Sequence, residues 1–188
     1  LNLSDGDDVV TITGDVTYTG ADGATGAAAL NTQAGSDTVA VSGSVTGNIE
    51  ADSSATAAVI GVGGNVVGHV NLSDGDDRLT IGGNLMGGYT LNSQAGSDTV
   101  RIAGDTDSVI RADDSGSGLE LEIAGAFTGA LNDGSDADDR FIVGGLYGAN
   151  TFQGDSGTDA LWLQSYSQSD WTNDVDGIRS TLDRKSVV

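Results

Sequence analysis

The hydrophobic pattern of this chain repeats at two scales. Within short segments apolar residues alternate with polar ones, and these segments recur about every 20 residues. Each segment has an apolar anchor, a second apolar residue two positions earlier and, except in the last segment, a glycine two positions later. The anchors are Ile12, Val41, Val62, Ile81, Ile102, Ile123, Val143 and Leu163, separated by 29, 21, 19, 21, 21, 20 and 20 residues. Such a fixed period is typical of stacked-repeat proteins, and we number the repeats as coils 1 to 8.

Each coil has the composition of several short β-strands. Val, Ile and Thr alternate with polar residues around the anchor, and a further apolar column follows four residues later. No segment has helical spacing over three turns. The sequence therefore predicts an all-β fold, a right-handed parallel β-solenoid (β-helix) of about eight coils of ~20 residues. At about 4.8 Å per coil it would be roughly 35 Å long. A β-sandwich also has short strands, but it gives no reason for a glycine column.

The pattern divides the chain into two parts. Residues 1–163 are predicted to form the solenoid repeats, and residues 164–188, which lack the glycine column, an irregular C-terminal cap with a short helix near residues 174–182. The excess residues of the first step, within 19–29, are expected to form a loop at one corner. Because Leu1 lies in the middle of a repeat, we expect the chain to be a piece of a longer protein.

The charge of the chain excludes some partners. It has 28 acidic residues against seven Lys and Arg, a net charge of -21, and only three of the acids are Glu. Such a field repels nucleic acids and anionic membrane surfaces, and no apolar run is long enough to cross a membrane. The absence of cysteine excludes disulfides and thiolate metal sites. The excess of Asp points to turns and to sites with oxygen ligands.

Aspartate forms the most informative polar column, four residues before each anchor. Six coils have Asp there, whereas coils 3 and 6 have Ala58 and Leu119. Longer similarities agree, because the segment that begins at Asn2 recurs at Asn71, and the one that begins at Gln33 recurs at Gln94. From coil 2 onward, equivalent coils are 61 or 62 residues apart, and the excess residues of the first step lengthen the distance between coils 1 and 4 to 69. The true repeat is therefore a module of three coils and about 61 residues.

These segments resemble a known calcium-binding repeat. Gly35-Ser36-Asp37-Thr38-Val39, its copy at residues 96–100, and the acidic run at residues 5–10 look like half of the nonapeptide of secreted RTX proteins. Here the motif occurs once per coil and lacks the leading Gly-Gly-x-Gly. The longer coil is similar to the repeat regions of large secreted bacterial surface adhesins. The resemblance implies Ca²⁺ held by aspartates of successive coils.

The aspartates themselves support two interpretations. Carboxylates stacked one coil apart repel each other, and a hard divalent cation with oxygen ligands removes this cost. Alternatively, Asp forms turns at exposed corners, where water screens its charge. Our predicted Ca²⁺ ligands are Asp5, Asp7, Asp8, Asp37, Asp74, Asp76, Asp77, Asp98, Asp138, Asp139 and Asp159.

The sequence favours a protein without catalytic activity. We expect a structural or adhesive module of a secreted or cell-surface bacterial repeat protein. Its expected partners are neighbouring modules or other copies of itself, and also surface glycans or a host receptor. A self-assembling filament or surface-layer subunit is the first alternative. The second is a polysaccharide-active β-helix enzyme that uses Arg78 or Arg101, although cross-coil ion pairs explain Arg101 equally well. We expect the terminal cap to cover Trp162.

Overall fold

A computed structural model describes residues 1–18, 28–51, 55–112, 118–133, 137–147, 151–153, 157–166, 175–176 and 178–180. These residues form an all-β parallel solenoid of about six turns, and none of them lies in a helix. The all-β parallel solenoid predicted from the hydrophobic pattern is therefore confirmed, whereas its right-handed sense remains a prediction. The count of eight coils and the division at residue 163 remain predictions.

Three parallel sheets run along the solenoid, with strands numbered in chain order. The longest sheet contains β1 (Val9–Ile12), β4 (Thr38–Val41), β7 (Val59–Val62), β10 (Arg78–Ile81), β13 (Asp98–Ile102), β15 (Leu119–Phe127), β17 (Arg140–Leu146), β19 (Asp159–Tyr166) and β21 (Ile178–Ser180). We call it the anchor sheet. The second sheet contains β3 (Ala28–Asn31), β6 (Asn48–Glu50), β9 (Val70–Asn71), β12 (Thr90–Asn92), β14 (Val109–Ala112), β16 (Ala130–Asp133), β18 (Thr151–Gln153) and β20 (Val175–Asp176). A short third sheet contains β2 (Val16–Thr17), β5 (Val45–Thr46), β8 (Val66–Val67) and β11 (Leu85–Met86).

The register of the sheets agrees with the register of the sequence repeat. In the anchor sheet Ile12 pairs with Val41, Val41 with Val62, and the next coils continue in the same way. The anchors from coil 2 to coil 7 are buried, as are the apolar residues two positions before them. Inward-facing residues of the three sheets meet in one continuous core. Alternation with a period of two thus placed one side of every strand inside.

Glycine stacks directly on glycine at the corner after the anchor. The N–H of Gly43 donates to the carbonyl of Gly14, Gly64 to Gly43, and Gly83 to Gly64, at 3.0, 2.8 and 3.0 Å. Gly104 and Gly125 continue this column at 2.9 and 3.2 Å. A Cβ on Gly83 would lie 2.8 Å from the carbonyl carbon and oxygen of Gly64. The glycine column is therefore required by the close approach of successive backbones.

The corner changes after coil 5. Strand β15 runs through it without a break, and its pairing with β17 shifts between Ile123 and Ala126. Gly145 consequently pairs with Ala126, and Ser165 with Gly145. Gly145 and Ser165 therefore stand one position away from the glycine column in which the sequence placed them. The physical reason is that Ala126 replaces the polar residue that follows the glycine in earlier coils.

Three expectations about the ends of coils are wrong. Within residues 174–182, the described segments Val175–Asp176 and Ile178–Ser180 are strands β20 and β21, where a short helix was expected. Ala28 and Ala29 belong to β3, although the predicted loop extended to residue 29; residues 19–27 of that loop lie outside the described part. Trp162 is 49% exposed, so its ring is not covered as expected. Parallel strand pairing continues beyond the last residue of the glycine column, as β20 and β21 show.

Replacing Gly83 with Ala should destabilise the chain by about 1–3 kcal/mol, because the methyl group would press on the backbone of the coil below. Gly61→Ala is the matched control, since a Cβ there would meet only the Val39 carbonyl oxygen, at 3.9 Å. Its effect should stay within about 0.5 kcal/mol. Urea unfolding followed by circular dichroism measures both. Equal effects of the two substitutions would contradict the requirement for close stacking.

Candidate functional site

The aspartate column lies where the loops from the second sheet enter the anchor sheet, and Asp98 and Asp159 are the first residues of β13 and β19. These loops stack on one another, and the Gly6 N–H donates to the Ala34 carbonyl at 2.6 Å. Gly35 and Gly96 have φ values of 134° and 106°, and a Cβ on either would collide with the backbone of the loop below. Glycine two residues before the aspartate thus allows the loops to stack closely.

The column aspartates point inward and accept hydrogen bonds from the preceding coil. Asp37, Asp77, Asp98, Asp139 and Asp159 are at most 2% exposed. Each Oδ1 accepts the N–H of the residue that occupies the same position one coil earlier. The donors are Asp8, Ala58, Asp77, Leu119 and Asp139 respectively, at 2.9, 2.6, 2.8, 2.5 and 3.1 Å. The predicted turn at an exposed corner is therefore wrong for these five residues, because their carboxylates are buried between coils.

A second set of aspartates accepts bonds in the opposite direction. Asp7, Asp76 and Asp138 are exposed and accept the N–H of a residue in the following coil. These donors are Ser36, Ser97 and Thr158, at 2.9, 2.8 and 2.7 Å. At three places, consecutive coils therefore exchange two carboxylate bonds. We call each exchange an aspartate clamp: Asp7 and Asp8 with Asp37, Asp76 and Asp77 with Asp98, and Asp138 and Asp139 with Asp159.

The clamps explain why the aspartate pattern has a three-coil period. They join the first and second coils of each module, whereas the third coil has Ala58 or Leu119 in the column. Where the next coil offers no carboxylate, the Asp98 N–H donates instead to the Gly118 carbonyl at 3.1 Å. The module inferred from sequence similarity is thus also a module of cross-coil bonds.

The second carboxylate oxygen differs between coils. In coil 4, Oδ2 of Asp77 accepts the N–H and the hydroxyl of Ser73, at 2.7 and 2.8 Å. In coils 2, 5 and 8, Oδ2 of Asp37, Asp98 and Asp159 is buried and has no hydrogen-bond partner. These three residues are spaced by 61 positions and belong to the three clamps. The same unsatisfied oxygen therefore recurs once in every module.

Burial changes the acidity of these groups. Burial is the largest cause, and together with the charge of Asp77 it raises the pKa of Asp98 to about 7, against the lowering effects of the Asp77 N–H and of the nearby Ser93 hydroxyl. Burial also raises the pKa of Asp77 and of Asp159, the latter helped by the charges of Asp139 and Asp138. Near neutral pH, Asp98 is thus divided between its neutral and charged forms.

The eleven predicted metal ligands do not form a preassembled metal site. Nine of them make up the three clamps, while Asp5 and Asp74 lie outside these. Within the described ranges, no group of three His, Asp or Glu side chains is positioned to hold a metal ion. The chemistry that remains for a cation is one unsatisfied carboxylate oxygen per clamp, with the other clamp carboxylates close by. Hard oxygen donors of this kind suit Ca²⁺.

Sequence reasoning missed a second ladder, in the position after the corner glycine. There a side-chain oxygen accepts the N–H of the equivalent residue in the next coil, at 2.7–3.0 Å. The acceptors are Asp15, Ser44, Asn65, Asn84 and Asp105. The series ends at Ala126, which has no such oxygen, and there the corner straightens into β15. The signal in the sequence is Gly followed by Asp, Ser or Asn and then an apolar residue, or Thr106 in coil 5.

Exposed charges on the anchor sheet form cross-coil pairs. Arg101 lies 3.5 Å from Glu122 and 3.9 Å from Glu120, and Arg140 lies 2.9 Å from Glu120. The Arg140 guanidinium also lies 5.8 Å from the centre of the Trp162 ring. The contacts of Arg101 are the cross-coil ion pairs that the sequence analysis gave as the alternative to a catalytic role. Exposed pairs of this kind stabilise a fold only slightly.

A polar groove opens beside the second sheet, with a volume of about 540 Å³. Its walls come from coils 2 to 5, and its floor includes Ala51. The other lining side chains are all amides or a carboxylate: Asn31, Gln33, Glu50, Asn71, Asn92 and Gln94. These residues were not predicted as a site.

The fold defines the class of this protein as a parallel β-solenoid repeat protein. No match was found to a protein-family model, a curated protein or a solved structure. The part of the chain that the structure describes contains no helix long and apolar enough to span a membrane.

Without divalent cations, the chain should lose stability as pH rises from 4 to 7. The raised pKa of Asp98 means that the folded chain keeps a proton in this window that the unfolded chain has released. The loss is at most about 1.4 kcal/mol per pH unit for one proton. Urea unfolding in a chelator, at several pH values, measures it.

Asp98→Asn should flatten this pH dependence, because the amide does not titrate. Asp5→Asn is the control, since Asp5 is exposed and lies outside the clamps; it should leave the slope unchanged. A wild-type stability that rises with pH over this window would contradict the role given to the buried carboxylates.

Proposed function

We propose that this chain is a non-catalytic structural module of a secreted or cell-surface repeat protein, in which it acts as a rigid spacer. One observation carries this proposal: bonds between successive coils occupy every corner column described above. The glycine ladder joins coils through closely stacked backbones, and the polar and aspartate ladders join them through side-chain hydrogen bonds. Arg101, one of the two arginines suggested for an enzyme, is paired with two glutamates. An extended stack with bonded corners resists bending and stretching.

Lengthening the chain by one module tests the spacer role. Duplication of residues 38–98 would add three coils, or about 14 Å at 4.8 Å per coil, while the cross-section stays the same. Small-angle X-ray scattering measures both dimensions. A longer particle of unchanged cross-section supports a modular spacer. A chain that grows in width, or that unfolds on duplication, would show that the modules are not interchangeable spacer units.

We further propose that Ca²⁺ stabilises the clamps, with Asp37, Asp98 and Asp159 as the central ligands. Their unsatisfied Oδ2 atoms support this proposal, because a buried carboxylate oxygen without a partner is costly. The choice of residue supports it too. The exposed ladder after the corner glycine uses Asn65 and Asn84 as well as Asp, since either oxygen accepts an N–H. The five buried acceptors are all Asp, so the charge itself has a use there.

Calcium also accords with an extracellular location. Sites with few protein ligands bind Ca²⁺ with dissociation constants of about 10⁻⁴ to 10⁻³ M, which suits extracellular modules. Each clamp offers few carboxylate oxygens to a cation because Oδ1 already accepts a backbone N–H. Bound there, the ion would supply positive charge between two coils. The protein's own residues would hold that ion and join the coils through the backbone.

Millimolar Ca²⁺ should raise the melting temperature at pH 8, by an amount equivalent to about 1–2 kcal/mol for each site filled near tenfold excess over its dissociation constant. At pH 5.5 the rise should be smaller, because protons compete for carboxylates with a raised pKa. The variant with Asp37, Asp98 and Asp159 all changed to Asn should show no rise. Differential scanning calorimetry with and without Ca²⁺ measures these shifts.

The matched control changes Asp5 and Asp74 to Asn, which removes two predicted ligands outside the clamps. It should retain the full Ca²⁺ response. An unchanged melting temperature of the wild type in 10 mM Ca²⁺ at pH 8 would rule out the calcium proposal. A response that persists in the triple variant would rule out the clamps as its site.

A further inference from the structure

The polar groove follows the axis of the solenoid. One wall is an outward-facing column of the second sheet, in which Asn31 pairs with Glu50, Glu50 with Asn71, and Asn71 with Asn92. Three steps between coils make this wall about 14 Å long. Gln33 and Gln94, equivalent residues of coils 2 and 5, border the groove near its two ends. The groove therefore offers polar groups at a regular spacing of one coil.

A small residue, Ala51, is part of the groove lining. Ala51 occupies the position that follows the wall residue, as shown by its N–H, which donates to the Asn71 carbonyl in the next coil at 2.8 Å. The N–H groups of Thr32, Leu72 and Ser93 donate in the same way to the coil that follows each of them, and these residues have larger side chains. All four side chains are at most 6% exposed, and Ala51 is the smallest of them. Leu72 shows that the position also accommodates a bulky residue.

One wall atom lacks a hydrogen-bond partner. In coil 2, Oδ1 of Asn31 accepts the N–H of Gln33 at 3.0 Å. In coil 5, the equivalent Oδ1 of Asn92 is buried and has no partner. Gln33 and Gln94 both have a φ of 61°, an unusual conformation for a residue with a side chain. An unpaired acceptor and two strained residues thus lie at the groove.

Neighbouring groups are already oriented. Gln33 donates through Nε2 to Oδ1 of Asn2 at 2.9 Å, and Asn71 donates through Nδ2 to Oε2 of Glu50 at 2.7 Å. These bonds fix the direction in which the remaining amide and carboxylate groups face. An occupant must therefore supply hydroxyl-like groups that donate to Oδ1 of Asn92 and to Glu50, and accept from amides. It must also repeat along the axis.

We propose that this groove binds a neutral, linear oligosaccharide that lies along the solenoid axis. Sugar hydroxyls both donate and accept hydrogen bonds, as amide side chains do. One pyranose unit of an equatorially linked chain advances by about the length of one coil step, so successive units meet successive wall residues. An extended peptide advances only about 3.3 Å per residue and does not match this spacing. Glu50 and the net charge of -21 oppose anionic polymers.

This inference goes beyond the spacer role by giving the chain a ligand, and the spacer role stands without it. The experiment is titration of the full chain with cellohexaose, xylohexaose and chitohexaose, followed by isothermal calorimetry and by amide chemical shifts. Binding of one of them should shift the side-chain amide signals of Asn92 and Gln94. An oligogalacturonate of the same length is the anionic comparison and should bind at least tenfold more weakly.

Two variants test the location. Ala51→Leu fills the floor with the residue that coil 4 already has at this position, and Asn92→Ala removes the unpaired acceptor. Each should weaken binding at least tenfold while the circular dichroism spectrum stays unchanged. Asn132→Ala is the matched control, because Asn132 stands in the same column but outside the groove. It should bind as the wild type does.

The proposal would be overturned if none of the three neutral sugars bound at millimolar concentration. Binding that survives both Ala51→Leu and Asn92→Ala would equally overturn it, since the sugar would then lie elsewhere. Tighter binding of the anionic sugar would contradict the chemical class. These outcomes leave the scattering test of the spacer role unaffected. If Ala51→Leu unfolds the chain, Asn92→Ala and the chemical shifts decide the location.

Discussion

The structure depends on one constraint, which is that backbone N–H groups at the corners must be satisfied. Strands in a parallel stack pair with the strands above and below them, but a corner leaves the strand conformation and loses that pairing. Here each corner donates to the corner of an adjacent coil. Backbone carbonyls, polar side chains after the corner glycine, and the buried and exposed aspartates of the clamps are the acceptors. A solenoid in which most strands have two to five residues is stable only because its corners are stacked as regularly as its sheets.

The register of the sheets could be predicted because it depends on burial alone. An alternating apolar pattern specifies which side of a strand faces the core, and slipping by one residue would expose that side. Val10, Val39 and Ile60 therefore pair as the sequence indicated. The aspartate column could also be recognised, because its three-coil alternation is independent of the apolar pattern. Its direction could not, since an inward and an outward carboxylate have the same spacing along the chain.

Corner bonding was the part that the sequence left open. Whether Asp37 reaches the Asp8 N–H depends on loop conformation, and that conformation includes a positive φ at Gln33 as well as at Gly35. Propensity does not assign such a value to glutamine. The same holds for the groove, whose lining includes one small residue, Ala51, at a position where the other wall coils have larger ones. A difference of a few side-chain atoms creates no periodic signal, so only the assembled stack shows it.

The interfaces between successive coils differ in their number of hydrogen bonds, so they should differ in their resistance to separation. Among the described residues, the first and second coils of a module exchange two column-type carboxylate bonds, the third and fourth share one, and the second and third share none. When the chain is pulled or heated, the interface between the second and third coils of a module should therefore separate first, after the coils that contain Asp37 and Asp98. Fragments that separate there retain their clamps intact. The module is thus a unit of fracture as well as of repetition, and a long array would yield by releasing three coils at a time.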